Sequence, residues 1–294
     1  MRPAPFAYAA ARSVDDAVKL LTQYGGDAKL IAGGQSLMPL LNFRVATPSY
    51  LIDISGLTDL DYIRSLSDGI VIGALTRQRT IELSELVQKR CPLLHEAIRH
   101  VGHVQTRNRG TIGGSLAHGD AAAELPAVVV ALGGRLVLQS GAGRRTLSAG
   151  EFFQTYLTTA LKPDEILVAI ELDGWSTNAG YSFQELGRRK GDFALVGAAA
   201  GIVLTPSGQV ARAGLALMGV GPTPVDLNAA LTDLFRGRAP SDADLAAIAD
   251  MVSANIEPES DIHAPADYRR HLAGVLAKRA VSTAIARARA SKGA

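Results

Sequence analysis

The segments IAGGQSLMPLLNFR, residues 31–44, and GTIGGSLAHGDAAAELP, residues 110–126, each contain a glycine pair followed by a small polar residue. A phosphate site needs consecutive backbone N–H groups directed at one point, with no side chains in the way. Adjacent glycines meet both needs because they tolerate positive φ and lack a Cβ atom. The hydroxyls of Ser36, Thr111 and Ser115 add hydrogen-bond donors beside the glycines. The two segments therefore predict two loops that form the two sides of one cradle for a dinucleotide diphosphate.

A glycine pair alone is more often a tight turn or a helix C-cap, and we interpret residues 25–26 and 133–134 in that way. Neither of the two longer segments matches GxGxxG or GxxxxGK[ST], so Rossmann and P-loop signatures are absent. The first segment follows a predicted strand, AKLIAG, and precedes a helix-like run, SLMPLL, which favours an anion site at a helix N-terminus. Asp120 and Glu124 follow the second glycine pair, where carboxylates accept hydrogen bonds from sugar or ribityl hydroxyls.

Composition limits the class of protein. The chain has 294 residues, 47% hydrophobic and 20% charged, with a net charge of +2, which indicates one large or two ordinary globular domains and no nucleic-acid surface. Cys91 is the only cysteine, so the chain has no internal disulfide and cannot hold an iron–sulfur cluster alone. The six histidines form no metal motif. No apolar run is long enough to span a bilayer and the N-terminus lacks a signal-peptide pattern, so we expect a cytoplasmic protein.

The order of predicted elements indicates an α+β fold in two domains. Residues 1–56 alternate strand and helix, and residues 57–176 mix strands with helices, including a helical stretch over 80–100 that breaks at Pro92. A Gly/Asn/Ser/Thr-rich stretch, residues 173–180, predicts a boundary. Beyond it, three strand-like runs (181–189, 193–205 and 210–221) precede three helical ones (about 226–236, 242–254 and 265–290). We expect a domain over 177–290 with a three-stranded antiparallel sheet on helices, and a frayed tail over 290–294.

The chain resembles the FAD-binding (medium) subunit of molybdenum-containing hydroxylases, the family of the xanthine dehydrogenase and carbon monoxide dehydrogenase medium subunits. The resemblance rests on AGGQSLMPLLNFR, LIDIS, VIGALT, RNRGTIGGSLAHGDAAAELPA, EILVAIEL and KGDFALVGAAA, and extends through GVGPTPV and YRRHLAGVLAKRAV. It implies a two-subdomain FAD-binding fold of the vanillyl-alcohol-oxidase type over 1–176, with subdomains of about 1–56 and 57–176. A small α+β domain over 177–290 follows.

The resemblance also implies the roles of thirteen residues toward FAD. One side of the diphosphate is assigned to Ala32, Gly33, Gly34, Gln35, Ser36 and Leu37, and the other to Thr111, Gly113, Gly114 and Ser115. The polyol chain is assigned to Glu124 and the isoalloxazine ring to Leu167 and Phe193. Ordinary core packing is the alternative for the last two. Gln35 stands where some proteins of the same flavin fold attach FAD to a histidine, so we expect non-covalent FAD.

By the same resemblance, the expected function is an FAD-binding electron-transfer subunit with no catalytic residue and no metal ligand of its own. A large molybdopterin-binding partner would oxidise the substrate, and a small partner with [2Fe-2S] clusters would relay electrons to FAD and on to an external acceptor. Two copies of each of the three chains are implied, a dimer of heterotrimers.

Two alternatives stay open. One is a self-sufficient FAD-dependent oxidase or reductase with Tyr156 or Tyr181 as a base, and the other is a non-enzymatic binding module. The sequence leaves the substrate and the physiological electron acceptor open.

Overall fold

A computed structural model describes residues 2–176 and 178–291. The first unit is a small parallel sheet with two helices: β1 (Ala7–Ala10), α1 (Val14–Tyr24), β2 (Ala28–Ile31), α2 (Leu37–Asn42) and β3 (Tyr50–Asp53). The strand order is β1-β3-β2, with both pairs parallel. Ser13 caps α1, since its side chain accepts a hydrogen bond from the N–H of Asp16 at 3.0 Å. The buried face of α1, with Ala17, Val18 and Leu21, helps to form the core of this unit.

The second unit is an antiparallel sheet of five strands in the order β4-β5-β10-β6-β7, together with seven helices and a short hairpin. Its elements are β4 (Ile63–Leu66), β5 (Gly69–Gly73), α3 (Gln78–Leu83), α4 (Glu85–Arg90), α5 (Pro92–Ile98), α6 (Val104–Arg109), α7 (Ile112–His118), α8 (Glu124–Ala131), β6 (Arg135–Ser140), β7 (Gly143–Ser148), α9 (Ala149–Phe152), β8 (Phe153–Thr155), β9 (Thr158–Thr159) and β10 (Ile166–Leu172). Every residue of α8 is buried.

The helical stretch predicted over 80–100 has the predicted break at Pro92 and one more, so it is three helices. Pro92 begins α5, where its missing N–H costs no helical hydrogen bond. A second break falls at Ser84, whose hydroxyl caps α4 by accepting from the N–H of Val87 at 3.3 Å.

The third unit is an antiparallel sheet covered by helices, with elements β11 (Ala179–Gly187), β12 (Ala194–Leu204), β13 (Val210–Met218), β14 (Val225–Asp226), α10 (Asn228–Phe235), α11 (Asp242–Ala254) and α12 (Ala266–Ala290). The sheet has four strands in the order β11-β12-β13-β14, not the predicted three. The fourth strand pairs only two residues with β13, which is too short for a sequence pattern to predict. Residue 177 of the predicted boundary segment and residues 292–294 of the predicted frayed tail lie outside the described residues.

The third unit shares a core with the second. Buried residues of β11, β12 and β13 belong to the same hydrophobic cluster as those of α5 and α8. The side-chain N–H of Asn228 donates to the carbonyl of Val130 at 3.0 Å, and a Cβ atom on Gly214 would collide with the carbonyl of Ala131. The two units therefore pack backbone against backbone at the end of α8.

Candidate functional site

One cavity of about 650 Å³ lies where the three units meet. Cofactor and small-molecule sites usually enclose about 300–1,000 Å³. All thirteen residues assigned from the sequence line this cavity: Ala32, Gly33, Gly34, Gln35, Ser36, Leu37, Thr111, Gly113, Gly114, Ser115, Glu124, Leu167 and Phe193. The structure therefore brings them together around one space. Their contacts with FAD stay a prediction.

The first glycine segment forms a row of unused backbone donors. The N–H groups of residues 33–37 make no hydrogen bond to any described residue. Gly34 has φ +71°, which turns the chain between β2 and α2, and the side-chain amide of Gln35 donates to the carbonyl of Gly33 at 3.2 Å. Consecutive N–H groups in such a turn form a concavity for an anion. This donor set fits a diphosphate.

The second glycine segment differs from the prediction, because it is a helix and not a loop. Thr111 caps α7 and its hydroxyl oxygen accepts from the N–H of Gly114 at 3.0 Å. The N–H of Gly113 donates to the carbonyl of Ala74 at 2.8 Å. The two glycine amides are thus used within the chain, so the predicted row of free N–H groups belongs to the first segment alone. On this side of the cavity, the donors left for a ligand are the hydroxyl groups of Thr111 and Ser115.

Glycine is needed in α7 for close packing. A Cβ atom on Gly113 would lie 2.5 Å from the Cβ of Ala74 at the end of β5, so only glycine lets the helix approach the sheet. A Cβ atom on Gly114 would lie 2.8 Å from Oγ1 of Thr111 and 3.9 Å from the Cβ of Ala32, so glycine keeps the space between the two segments open here. The pair therefore shapes the cavity wall by its small size.

The charges around the cavity are mostly negative. Among the described lining residues, Lys29 is the one lysine or arginine. Four lining residues carry carboxylates: Asp120, Glu124, Glu165 and Asp192. The Glu165 carboxylate is neutralised by Arg145, whose Nε lies 2.6 Å from Oε1, and this hydrogen bond lowers the pKa of Glu165. Backbone amides, not cations, are therefore the main partners on offer to a diphosphate.

Glu124 is the buried acid of the cavity. Glu124 is the first residue of α8 and is 7% exposed. Burial raises the pKa of its carboxyl to about 7. The nearby charges of Glu185 and Asp120 contribute to this rise, and a backbone hydrogen bond and His100 oppose it. An acid with such a pKa is protonated in part of the molecules at neutral pH, so it both donates and accepts hydrogen bonds.

The two residues assigned to the flavin ring lie in different environments. Phe193 is 67% exposed at the cavity rim, so core packing does not explain it. Leu167 is 5% exposed and belongs to the core of the second unit as well as to the cavity wall. An exposed aromatic ring beside a cavity suits stacking on a flat ligand.

Two tyrosines considered as bases for a self-sufficient oxidase do not line this cavity. Tyr181 is buried in the core, and burial raises the pKa of its hydroxyl. Tyr156 lines a neighbouring cavity of about 610 Å³, and its hydroxyl donates to Glu259 at 3.4 Å. Sequence reasoning missed Gln78 and Lys29 in the main cavity, because neither belongs to a glycine segment.

Comparison with known proteins identifies both parts of the chain. Residues 4–173 match the family model of the FAD binding domain in molybdopterin dehydrogenase, and residues 181–284 match that of the CO dehydrogenase flavoprotein C-terminal domain. The chain is 39% identical to the 6-hydroxypseudooxynicotine dehydrogenase complex subunit alpha of Paenarthrobacter nicotinovorans, over 99% of this chain and 98% of the relative. It is 40% identical to the carbon monoxide dehydrogenase medium chain of Hydrogenophaga pseudoflava, over 98% and 99%.

A solved structure shows the same fold. The carbon monoxide dehydrogenase from Hydrogenophaga pseudoflava that lacks the Mo-pyranopterin moiety of its cofactor superposes with a TM-score of 0.95 at 39% identity, over 98% of this chain and 99% of that one. These similarities confirm the fold class and the FAD-binding domain predicted from the sequence.

Proposed function

The chain belongs to the family of FAD-binding medium subunits of molybdenum hydroxylases, and we propose that it is the electron-transfer subunit of a three-chain enzyme of this kind. Its relatives are dehydrogenase subunits, so the chain is an oxidoreductase subunit. When bound, FAD supplies the redox chemistry, because a flavin accepts electrons singly and releases them as a pair. This chain's residues bind the cofactor and exclude water from it.

The observation that carries the proposal is a cavity lined by unused backbone amides, in a chain with a single cysteine. The N–H groups of residues 33–37 are free to bind a diphosphate. Cys91 is the only cysteine and it is buried, while a [2Fe-2S] cluster needs about four ligands. The described residues contain no group of three or more His, Cys, Asp or Glu side chains arranged to hold a metal ion. Clusters and molybdenum cofactor therefore belong to partner chains: a small iron–sulfur subunit and a large molybdopterin-binding subunit.

The remaining features of the assembly are part of the same proposal. FAD would be bound non-covalently. Two copies of each of the three chains would form a dimer of heterotrimers in the cytoplasm. None of the described helices is both long and apolar enough to cross a membrane. The external acceptor would take electrons at the exposed end of the cavity, beside Phe193.

The substrate is set by another chain. One relative named for 6-hydroxypseudooxynicotine and one named for carbon monoxide are 39% and 40% identical to this chain. Nearly equal similarity to subunits of enzymes with unrelated substrates favours a part in the reaction that they share, which is the handling of electrons.

The test is to purify the chain under native conditions with any subunits that accompany it. The expected result is a yellow protein with flavin bands near about 370 and 450 nm, FAD in the supernatant after heating, and iron and molybdenum in the co-purified material. A chain that purifies alone, and whose flavin is reduced directly by an organic substrate, would favour a self-sufficient oxidase instead. A protein that takes up no FAD, whether it is purified alone or with partner subunits, would overturn the proposal.

A further inference from the structure

Gln78 is a buried polar residue whose side chain has no partner in the protein. It is the first residue of α3, it is 5% exposed, and it lines the main cavity. Neither Oε1 nor Nε2 hydrogen-bonds to any described residue. Oε1 is fully shielded from solvent, so of the two atoms only Nε2 is left for a ligand in the cavity. A side chain this buried is normally hydrogen-bonded, so its lack of partners calls for an explanation.

The position of Gln78 is fixed by the second glycine segment. Its backbone N–H donates to the carbonyl of Gly110 at 2.9 Å. Its carboxamide covers the α-carbon of the same residue, since a Cβ atom on Gly110 would lie 2.5 Å from Oε1. The preceding residue, Arg109, contacts Gly33 of the first segment through its carbonyl. The unpaired carboxamide is therefore held beside the junction of the two segments.

We infer that Gln78 is a further cofactor-binding residue, whose Nε2 donates a hydrogen bond to an acceptor of FAD outside the diphosphate. This inference rests on the proposed function only through FAD binding. The diphosphate is already matched by the free amides of residues 33–37. The donors of Nε2 match a ring nitrogen of adenine, a sugar hydroxyl oxygen or a carbonyl oxygen of the flavin ring.

The test compares Gln78→Met with the wild-type protein in the form in which it purifies, alone or with its partner chains. Methionine keeps the length of the side chain and removes both polar atoms. FAD is stripped and titrated back by fluorescence, and the thermal stability of the FAD-free protein is recorded beside it. The matched control is Gln105→Met, on an exposed residue of α6 that does not line the cavity.

We expect Gln78→Met to weaken FAD binding about tenfold while the FAD-free protein is as stable as wild type or more stable, because a buried oxygen without a partner is removed. Gln105→Met should change neither quantity. Titration with FMN and with ADP then locates the partner, since a loss confined to ADP assigns it to the adenosine half and a loss confined to FMN assigns it to the flavin half. Unchanged FAD affinity in Gln78→Met, with wild type binding FAD, would overturn this inference alone. A wild-type protein that binds no FAD would overturn the proposed function as well.

Discussion

Gly33 touches the backbone of Arg109: a Cβ atom on residue 33 would lie less than 3.0 Å from the Arg109 carbonyl oxygen, closer than Cβ atoms of real side chains come. Gly33 belongs to the first glycine segment, and Arg109 directly precedes the second. The same carbonyl also accepts a hydrogen bond from the side chain of Arg77, so it has little freedom to move away. Residue 33 is therefore glycine because a Cβ atom does not fit against the backbone of Arg109.

Gly33→Ala should separate the two segments. Because the obstacle is backbone, we expect the FAD-free protein to lose about 1–3 kcal/mol of stability and FAD binding to fall at least tenfold. Gly26→Ala is the matched control, since a Cβ atom there meets nothing within 4 Å and Gly26 does not have positive φ. Melting temperature and FAD content measure the two effects. A stable Gly33→Ala protein with full FAD would mean that the segments separate at no cost.

Phe193→Ala should affect the cofactor and not the fold. Phe193 is 67% exposed, so its removal should change the stability of the FAD-free protein by no more than about 0.5 kcal/mol. Loss of a stacked aromatic contact should weaken FAD binding about three- to tenfold. Phe43→Ala is the control, because Phe43 is 65% exposed and does not line the cavity. Equal FAD affinity in both variants would refute the assignment of Phe193 to the flavin ring.

The first glycine segment was predictable because its signals are local. A strand, a glycine with φ +71° and a short helix follow one another within 15 residues, and each depends on its neighbours in sequence. The second segment was predicted as a loop because glycine is a poor helix former. What makes it helical is the contact of Gly113 with Ala74, nearly 40 residues earlier, together with the Thr111 cap. Sequence patterns do not show such a contact.

Long-range pairing explains strand β1, which no sequence pattern predicts. Strand β1 has four residues, of which three are alanine, and it forms because it pairs in parallel with β3, over 40 residues away. Gln78 shows the same limit at the site, since its neighbours Arg77 and Arg79 give no hint of a cavity. Only the fold reveals that its carboxamide is buried there without a partner.

Glu124 should make the stability of the FAD-free protein depend on pH. Its folded pKa, about 7, lies above the usual value of 4.5. The unfolded chain therefore releases its proton first, and wild type should lose about 3 kcal/mol as the pH rises from 4.5 to 7. Below pH 4.5 the carboxyl is protonated in both states, so it does not change the stability.

Glu124→Gln should lack this loss of stability between pH 4.5 and 7, while Glu257→Gln, at an exposed position, should retain it. Denaturant unfolding at pH 5 and pH 8 measures it, and parallel curves for wild type and Glu124→Gln would contradict the prediction.

His100 and Glu185 form a pH-sensitive contact between the second and third units. Nδ1 of His100 lies 3.0 Å from Oε1 of Glu185, and this hydrogen bond raises the pKa of the imidazole. A raised histidine pKa stabilises the folded protein fully below about pH 6.5, and the contribution is lost as the pH rises through the folded pKa. NMR titration of His100 should give a pKa above 6.5 in wild type and a lower one in Glu185→Gln. An identical titration in both proteins would show that the pair does not form, and Glu257→Gln serves as the charge control.

Arg287 and Glu96 close the open edge of the third unit's sheet. Strand β11 ends the sheet, so its outer N–H and carbonyl groups lack a neighbouring strand. Glu96 accepts from the N–H of Phe183 at 3.2 Å, and Arg287 donates to the carbonyl of Tyr181 and lies 2.6 Å from Glu96.

Arg287→Met should therefore remove the side-chain donor of the Tyr181 carbonyl and the ion-pair partner of Glu96, and cost about 1–2 kcal/mol. Arg289→Met is the matched control on α12, since Arg289 is also exposed and, among the described residues, donates only to the carbonyl of Pro240 at 3.3 Å. Chemical denaturation gives the free energy of unfolding, and hydrogen exchange at Phe183 reports the edge directly. The edge model requires that exchange at Phe183 rise in Arg287→Met and stay at the wild-type rate in Arg289→Met. Equal stability and equal exchange in the two variants would show that the strand edge needs no side-chain cover.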